Sequence, residues 1–492
     1  MSTTLENPAT DAYETTVGLE IHVELATRSK MFCGCAVAFA GEPNSRTCPV
    51  CLGLPGSLPV PNEKAIEYTI RIALALDCAI AGYSLFHRKN YFYPDMPKNY
   101  QISQYDLPLG SRGAVEISGA FGTRRVGINR VHLEEDTGKS IHMGGTGRIA
   151  DSDYSLEDFN RAGTPLVEIV SEPDIRSAEE ARVFVTELRA LLESLGVSDV
   201  RMEEGSLRVD ANISVRPTGA EEYGAKVEVK NMNSVRSVAR ALEYEEKRQR
   251  EALERGETLI QETRHFDEKT GTTSSLRTKE FAFDYRYFPE PDLVPFEPDE
   301  AWVESIRAAL PERPGARRTR FVAQYGLSDY DVEVLTASKA IADYFEAAAG
   351  AYDGDAKKVA NWLTADLFGL VNEAGIELSE TKIAPAQLAA LVELVDAGTI
   401  SGKQAKAVLA EMFSSGKDPA AIAAEKGLQQ VSDAGAIDAV VDEVIAENAD
   451  AAAKVRAGNM GTLGFLVGQV MKKTSGQANP QLVNEALRSK LS

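Results

Sequence analysis

The sequence predicts an α+β fold whose strands lie in the first three-fifths of the chain, followed by a helical domain and a small all-helical tail. Three observations predict it. Residues 17 to about 293 alternate period-two apolar stretches with turns and short helices. From 294 onward the pattern becomes almost wholly helical. A second break near residue 400 introduces short Ala-rich helices separated by Gly-Lys turns. The expected domains are therefore 1–293, 294–400 and 401–492.

Val17–Leu25 is the first predicted strand. Leu19, Ile21, Val23 and Leu25 fall on one face, and Glu20, His22 and Glu24 on the other. Two carboxylates beside an imidazole suit a hard divalent cation, although a solvent-facing polar edge would look the same. Next come four cysteines spaced Cys33-x-Cys35-x12-Cys48-x2-Cys51. Two close pairs across a short loop place four thiolates tetrahedrally around zinc. Four thiolates leave no position open for water, so this 33–51 knuckle is expected to be structural. Cys78 falls in an apolar helix and reads as core.

Asn62–Asp77 is predicted as an amphipathic helix, with Ile66, Ile70, Ala73 and Leu74 on one side. His87–Tyr105 interleaves tyrosines, amides and lysines with Pro94 and Pro97, the make-up of a stiff ligand-binding loop or of a Tyr-rich packing loop. Gly127–Asp136 is a strand ending in Glu134, Glu135 and Asp136, and alternation forbids all three from sharing a face. Thr137–Ser140 imitates the end of a phosphate loop, but Leu133 stands where the leading glycine belongs.

Glu168 lies in the apolar run Leu166–Val170, so its carboxylate needs a partner: a cation or an arginine. Ser177–Leu195 is predicted as a helix closed by Gly196. A hairpin follows, with Arg208, Asp210, Asn212, Ser214 and Arg216 on one face of its first strand and Lys226, Glu228 and Lys230 on one face of its second. The amides Asn212, Asn231 and Asn233 beside these charges favour a wet cavity over plain solvent. Val235–Arg255 is a charged helix, and the prolines and acids of Asp284–Asp292 read as a domain exit. Tail helices are expected at Lys403–Phe413, Pro419–Lys426, Ala434–Ala446, Asp450–Ala457, Thr462–Lys473 and Pro480–Leu491.

The net charge of −21 argues against general nucleic-acid binding. Residues 398–492 carry ten Lys+Arg against ten Asp+Glu, so the excess of acid lies wholly before them. After Val470 come four basic residues and one acid, a local balance that RNA phosphates would tolerate. The polar, acidic start (MSTTLENPATDAYETT) lacks the features of a targeting peptide, and no run approaches the roughly 18 apolar residues of a membrane span. A cytoplasmic location is expected. All five histidines precede residue 266, which places the chemistry early.

Seven stretches, taken together and in order, resemble one family: GLEIHVEL, FHRKNYFYPDMPKNYQISQYD, HLEEDTGKS, RAGTPLVEIVSEPDIRS, MEEGSLRVDANIS, VEVKNMNS and DYRYFPEPD. They are similar to the B subunits of tRNA-dependent amidotransferases over roughly residues 15–293. The resemblance implies a cradle-like mixed α/β N-terminal domain and a tail that holds tRNA. It implies ATP- and Mg2+-dependent phosphorylation of the side-chain carboxylate of misacylated Glu-tRNA(Gln) or Asp-tRNA(Asn). Ammonia from an amidase A subunit then replaces the phosphate, within a heterotrimer completed by a small C subunit. The family's magnesium site maps onto Glu20, His22, Glu135 and Glu168, with Glu135 open to a role as general base instead. The four cysteines resemble a zinc knuckle found in some members.

Lys89, Asp210, Asn212 and Lys230 are the expected nucleotide- and substrate-contacting residues, the two lysines on composition alone. The chain has no G-x-S-x-G elbow and four of its five cysteines are committed to metal, so an amidase partner is expected to release the ammonia. A non-catalytic tRNA-binding scaffold is the competing reading.

Overall fold

The computed structural model describes residues 12–144, 152–278, 285–428, 434–474, 478 and 480–491. The fold is α+β, and the chain divides into two units, Met1–Pro314 and Gly315–Ser492.

The first unit is built on a nine-stranded sheet. Its strands and those of two smaller sheets are, in chain order, β1 (Tyr13–Glu24), β2 (Ala79–Ile80), β3 (His87–Asn90), β4 (Tyr100–Ser103), β5 (Gly110–Gly119), β6 (Gly122–Glu135) and β7 (Lys139–Met143). They continue with β8 (Tyr154–Asp158), β9 (Pro165–Ser171), β10 (Leu207–Pro217), β11 (Val227–Met232), β12 (Glu262–Asp267), β13 (Thr272–Thr278) and β14 (Phe288–Pro289). The large sheet runs β13-β12-β11-β10-β1-β9-β6-β5-β2. Every pairing in it is antiparallel except β11 with β12.

Strand β1 therefore lies mid-sheet, between β10 and β9. Its apolar side (Val17, Leu19, Ile21, Val23) is fully buried in one core with Val167, Ile169, Val209 and Ala211. Helices cover that side: α1 (Glu63–Ala75), α2 (Ala178–Leu195), α3 (Val235–Glu254) and α4 (Glu300–Ala308). Phe184, Leu188, Val238 and Leu242 supply their half of the core. The expected stop of α2 at Gly196 holds, and side chains cap the starts of α1 and α2. Asn62 accepts hydrogen bonds from the amides of Lys64 and Ala65, Ser177 caps α2 through Glu180 N, and Gly196 ends it with φ +66°.

Two expectations are revised. The His87–Tyr105 loop is largely a hairpin of β3 and β4, joined by β14 into a three-stranded sheet. Its two strands have only four residues each, and Pro94 and Pro97 fall in the turn between them. Asp284 lies outside the described residues, but the rest of the expected exit also pairs, Phe288 and Pro289 with Arg88 and His87. Thr137–Ser140 runs into strand β7 and opens no helix, in keeping with the missing glycine.

The second unit is helical. Helices Pro314–Tyr325, Asp329–Leu335, Lys339–Gly350, Ala356–Asn361, Phe368–Ala374, Pro385–Asp396, Gly402–Ser415 and Pro419–Glu425 surround a core that includes Phe321, Phe345, Leu363, Leu388 and Leu409. A separate core gathers Val441, Val444, Val455, Leu466, Val470, Val483 and Leu487 from helices Ala434–Glu447, Ala449–Arg456, Leu463–Lys473 and Pro480–Leu491. Among the described residues no helix is long and apolar enough to cross a membrane.

Candidate metal centre and four-cysteine knuckle

Residues paired across a sheet share a face, so the pairing fixes which polar side chains meet. His22 stands opposite Glu168 on one side and Arg208 on the other, and Glu168 in turn stands opposite His132. The sheet face away from the helices thus carries a polar row, Arg208–His22–Glu168–His132, across four strands. Glu134, two residues beyond His132 on β6, joins the same face.

These side chains converge. His22 Nε2 lies 3.8 Å from Glu134 Oε1 and 3.9 Å from Glu168 Oε2. His22, Glu134 and Glu168 each offer a ligand atom, all within 4.8 Å of one another. His132 lies between the acids, its Nε2 3.1 Å from Glu168 Oε2 and 3.5 Å from Glu134 Oε2. Ser103 Oγ donates to Glu134 at 2.9 Å, and Arg130 lies 3.4 Å from Glu168.

The electrostatics follow. Burial opposes charge on Glu168, but His132, His22 and Arg130 hold its carboxyl well below the usual range. Burial opposes charge on Glu134 too, and the His132 hydrogen bond holds it down. Burial likewise works against imidazolium at His132, yet the two acids raise it to about 9. The donors of the cluster, one imidazole and two carboxylates, suit a divalent cation.

The sequence-selected residues are placed as follows. His22 and Glu168 belong to the cluster. Glu20 is on the same face one pair along the strand, where Asn212 Nδ2 donates to it at 2.8 Å. Glu135 does not join them: alternation turns it to the other face. There it is buried, ion-paired with Lys98, and accepts the Ile102 amide at 3.0 Å. Glu134 takes the place expected of Glu135. Glu134 stood in the sequence only as one of three acids ending the strand, passed over for Glu135 on the resemblance, and His132 was not singled out at all. The signal was the alternation of Val131, Leu133 and Glu135 against His132 and Glu134.

Lys89 is half-buried with its ammonium 5.0 Å from the Tyr285 ring centroid. Against the cost of burial, Tyr287, Glu134 and Glu168 raise its pKa. Lys230 reaches Asp210 at 2.5 Å and Glu228 at 3.6 Å. One row beyond the cluster, Glu24 is pushed up to about 8 by burial and by Asp136. Arg208 and Arg161 hold Asp136 low despite its burial. Beside Glu20 a largely apolar cavity of about 260 Å³ opens over Gly18, flanked by Val170, Pro173, Tyr223 and Lys226.

The four knuckle cysteines also converge, their sulfurs all within 4.8 Å of one another. Cys51 Sγ accepts the Cys48 amide at 3.1 Å. A hydrogen bond from Cys33 pulls Cys51 down to about 4, while burial lifts Cys35 to about 11. Four converging sulfurs are compatible with a structural metal.

A family model described as the GatB/GatE catalytic domain matches residues 15–304, and one described as the GatB domain matches 343–491. The chain belongs to the GatB family. The first match contains all of the converging residues above. Among relatives of this GatB-family chain, the B subunit of the aspartyl/glutamyl-tRNA(Asn/Gln) amidotransferase of Carboxydothermus hydrogenoformans is 56% identical over 479 residues, 97% of this chain and 99% of that one. Proteins of the same name from Caldanaerobacter subterraneus and Moorella thermoacetica are each 54% identical. They cover 98% and 97% of this chain, and 99% and 100% of their own lengths.

Proposed function

We propose that this chain is the amidating subunit of an ATP-dependent tRNA amidotransferase, acting on Glu-tRNA(Gln), Asp-tRNA(Asn) or both. The observation that carries this reading is the His22–Glu134–Glu168 cluster on the polar face of the sheet, within the stretch matched to the family's catalytic domain. His22, Glu134 and Glu168 would hold Mg2+, with Glu20 alongside. When bound, that ion neutralises charge on the transferring phosphoryl group.

The chain's own residues do the rest. His132 and Arg130 fix the carboxylates in place. Lys89 and Lys230 offer positive charge to phosphate oxygens, and Asp210 and Asn212 orient Lys230 and Glu20. The apolar cavity over Gly18 accommodates the nucleoside. The side-chain carboxylate of the misacylated tRNA attacks the terminal phosphorus of ATP and ADP leaves. Ammonia then attacks the acyl carbon, the C–N bond forms, inorganic phosphate departs, and a proton is lost.

An amidase A subunit would supply the ammonia and a small C subunit would complete the complex. The relatives are themselves named as one lettered component of an amidotransferase, which supports such an assembly. The helical tail would hold the tRNA, and the four cysteines a structural zinc.

The test is amidation and ADP release by the reconstituted complex, with Glu-tRNA(Gln), Asp-tRNA(Asn) and ammonium as nitrogen donor. Glu134→Gln and Glu168→Gln are each expected to lower the rate by about two orders of magnitude or more. Undiminished amidation by both variants would leave a scaffold. Release of AMP in place of ADP would replace phosphorylation with adenylation.

A further inference from the structure

Lys30 is 1% exposed, among the largest fully buried side chains of the protein. Its ammonium spends its three protons on three acceptors: Arg46 O at 2.8 Å, Phe159 O at 3.1 Å and Cys51 Sγ at 3.7 Å. Among the described residues no carboxylate forms an ion pair with it. A buried lysine without an acid is costly unless something nearby is negative. The one of its three acceptors able to carry a negative charge is the sulfur of a knuckle cysteine, Cys51. The Lys30 main chain is part of the same turn, since its amide donates to Cys35 O at 2.9 Å.

Zinc with four thiolates carries a net charge of −2, and that excess makes the sulfurs nucleophilic. We propose that Lys30 is the built-in counter-cation of the four-cysteine centre, a positioning residue that halves its net charge and keeps Cys51 from reacting with electrophiles. This rests on the zinc reading above and goes beyond it. The metal would be retained because one sulfur is electronically quenched, and not only because four sulfurs grip it. The two carbonyl contacts have a separate consequence. They tie the knuckle (Arg46) to the segment just before β9 (Phe159), so the charged group is held where the sulfur needs it. Both carbonyls are neutral acceptors and neither cancels the charge that reaches Cys51.

The experiment uses the full-length zinc-loaded chain and iodoacetamide. A zinc-bound sulfur attacks the reagent's methylene carbon, the S–C bond forms, iodide leaves, and the weakened site releases zinc to a coloured chelator. Lys30→Met removes the charge and the donors, whereas Lys30→Gln keeps donors and removes the charge. Both are expected to release zinc at least tenfold faster than the parent, with the new adduct mapped to Cys51 by mass spectrometry. Adding Cys51→His to Lys30→Met replaces a thiolate by a neutral ligand, returns the net charge to −1, and is expected to restore slow release. That double variant also keeps the test open should Lys30→Met alone fail to load zinc. Parent-like release by Lys30→Gln would make Lys30 a hydrogen-bonding staple and overturn the proposal, as would fast release by the double variant. A parent chain that purifies without zinc and takes up none would overturn the four-thiolate reading itself, a result separable from the variant rates.

Discussion

His132 is buried against Glu134 and Glu168 through Nε2, while its Nδ1 has no hydrogen-bond partner among the described residues. It orients two carboxylates that would otherwise repel each other. Residues in that position usually tune metal affinity by about 10–100-fold. His132→Asn is expected to weaken Mg2+ binding by that factor, read by calorimetry on the purified chain. Glu135→Gln gives the contrast. It should leave Mg2+ affinity near the parent value and cost about 3 kcal/mol of stability, because it strands the buried Lys98 charge. Equal loss of affinity in both variants would restore Glu135 to the metal set. The acids at the end of β6 were legible in the sequence as a group. Which of them faces His22 was not, because β9 lies between β1 and β6 in the sheet and about 140 residues after β1 in the chain. Alternation within β6 sorts its residues into two faces. It does not say which face is wet until the neighbouring strands are in place.

At the scale of elements, the helices were the most readable part. Their ends are set by local chemistry: Asn62, Ser177 and Ser234 accept main-chain amides, and Gly196 and Gly416 take left-handed φ values. The short strands were not readable. β3 and β4 gain their pairing from each other and from Phe288, far along the chain, so a four-residue window holds too little periodicity. One tie between elements has a pH signature. Asp77, just after α1, takes two hydrogen bonds from Arg313, at 2.9 and 2.5 Å, which hold its pKa below the ordinary 3.8. A depressed carboxylate contributes stability that is fully present above its unfolded value and is lost as pH falls below it. Both side chains are half-exposed, so the contribution is small, about 0.5 kcal/mol. Asp77→Asn is expected to lower the melting temperature slightly at neutral pH and to match the parent in strong acid. A gap that persists unchanged at low pH would assign the effect to something other than this pair. Asn tolerates the left-handed backbone found at Asp77, so strain does not confuse the comparison.

For the whole molecule, composition marked where strands stop but not where a core stops. The helical pattern begins near 294, yet Val303 and Ile306 of α4 belong to the same core as the sheet. Beyond it the second unit owns two hydrophobic cores of its own. A fragment spanning 315–492 is therefore expected to fold by itself, with strong helical circular dichroism and a cooperative thermal transition. A featureless melt would show that it leans on the first unit. The middle strand of the sheet matters also for what it forbids. β1 presents Val17, Leu19, Ile21 and Val23 to the apolar interior and His22 to the polar side. Sliding it by one residue would drive an imidazole and two acids into hydrocarbon. A slip of that size cannot spare the fold while losing the site, because the residue row that meets Glu168 and the row that fills the interior are turned over together.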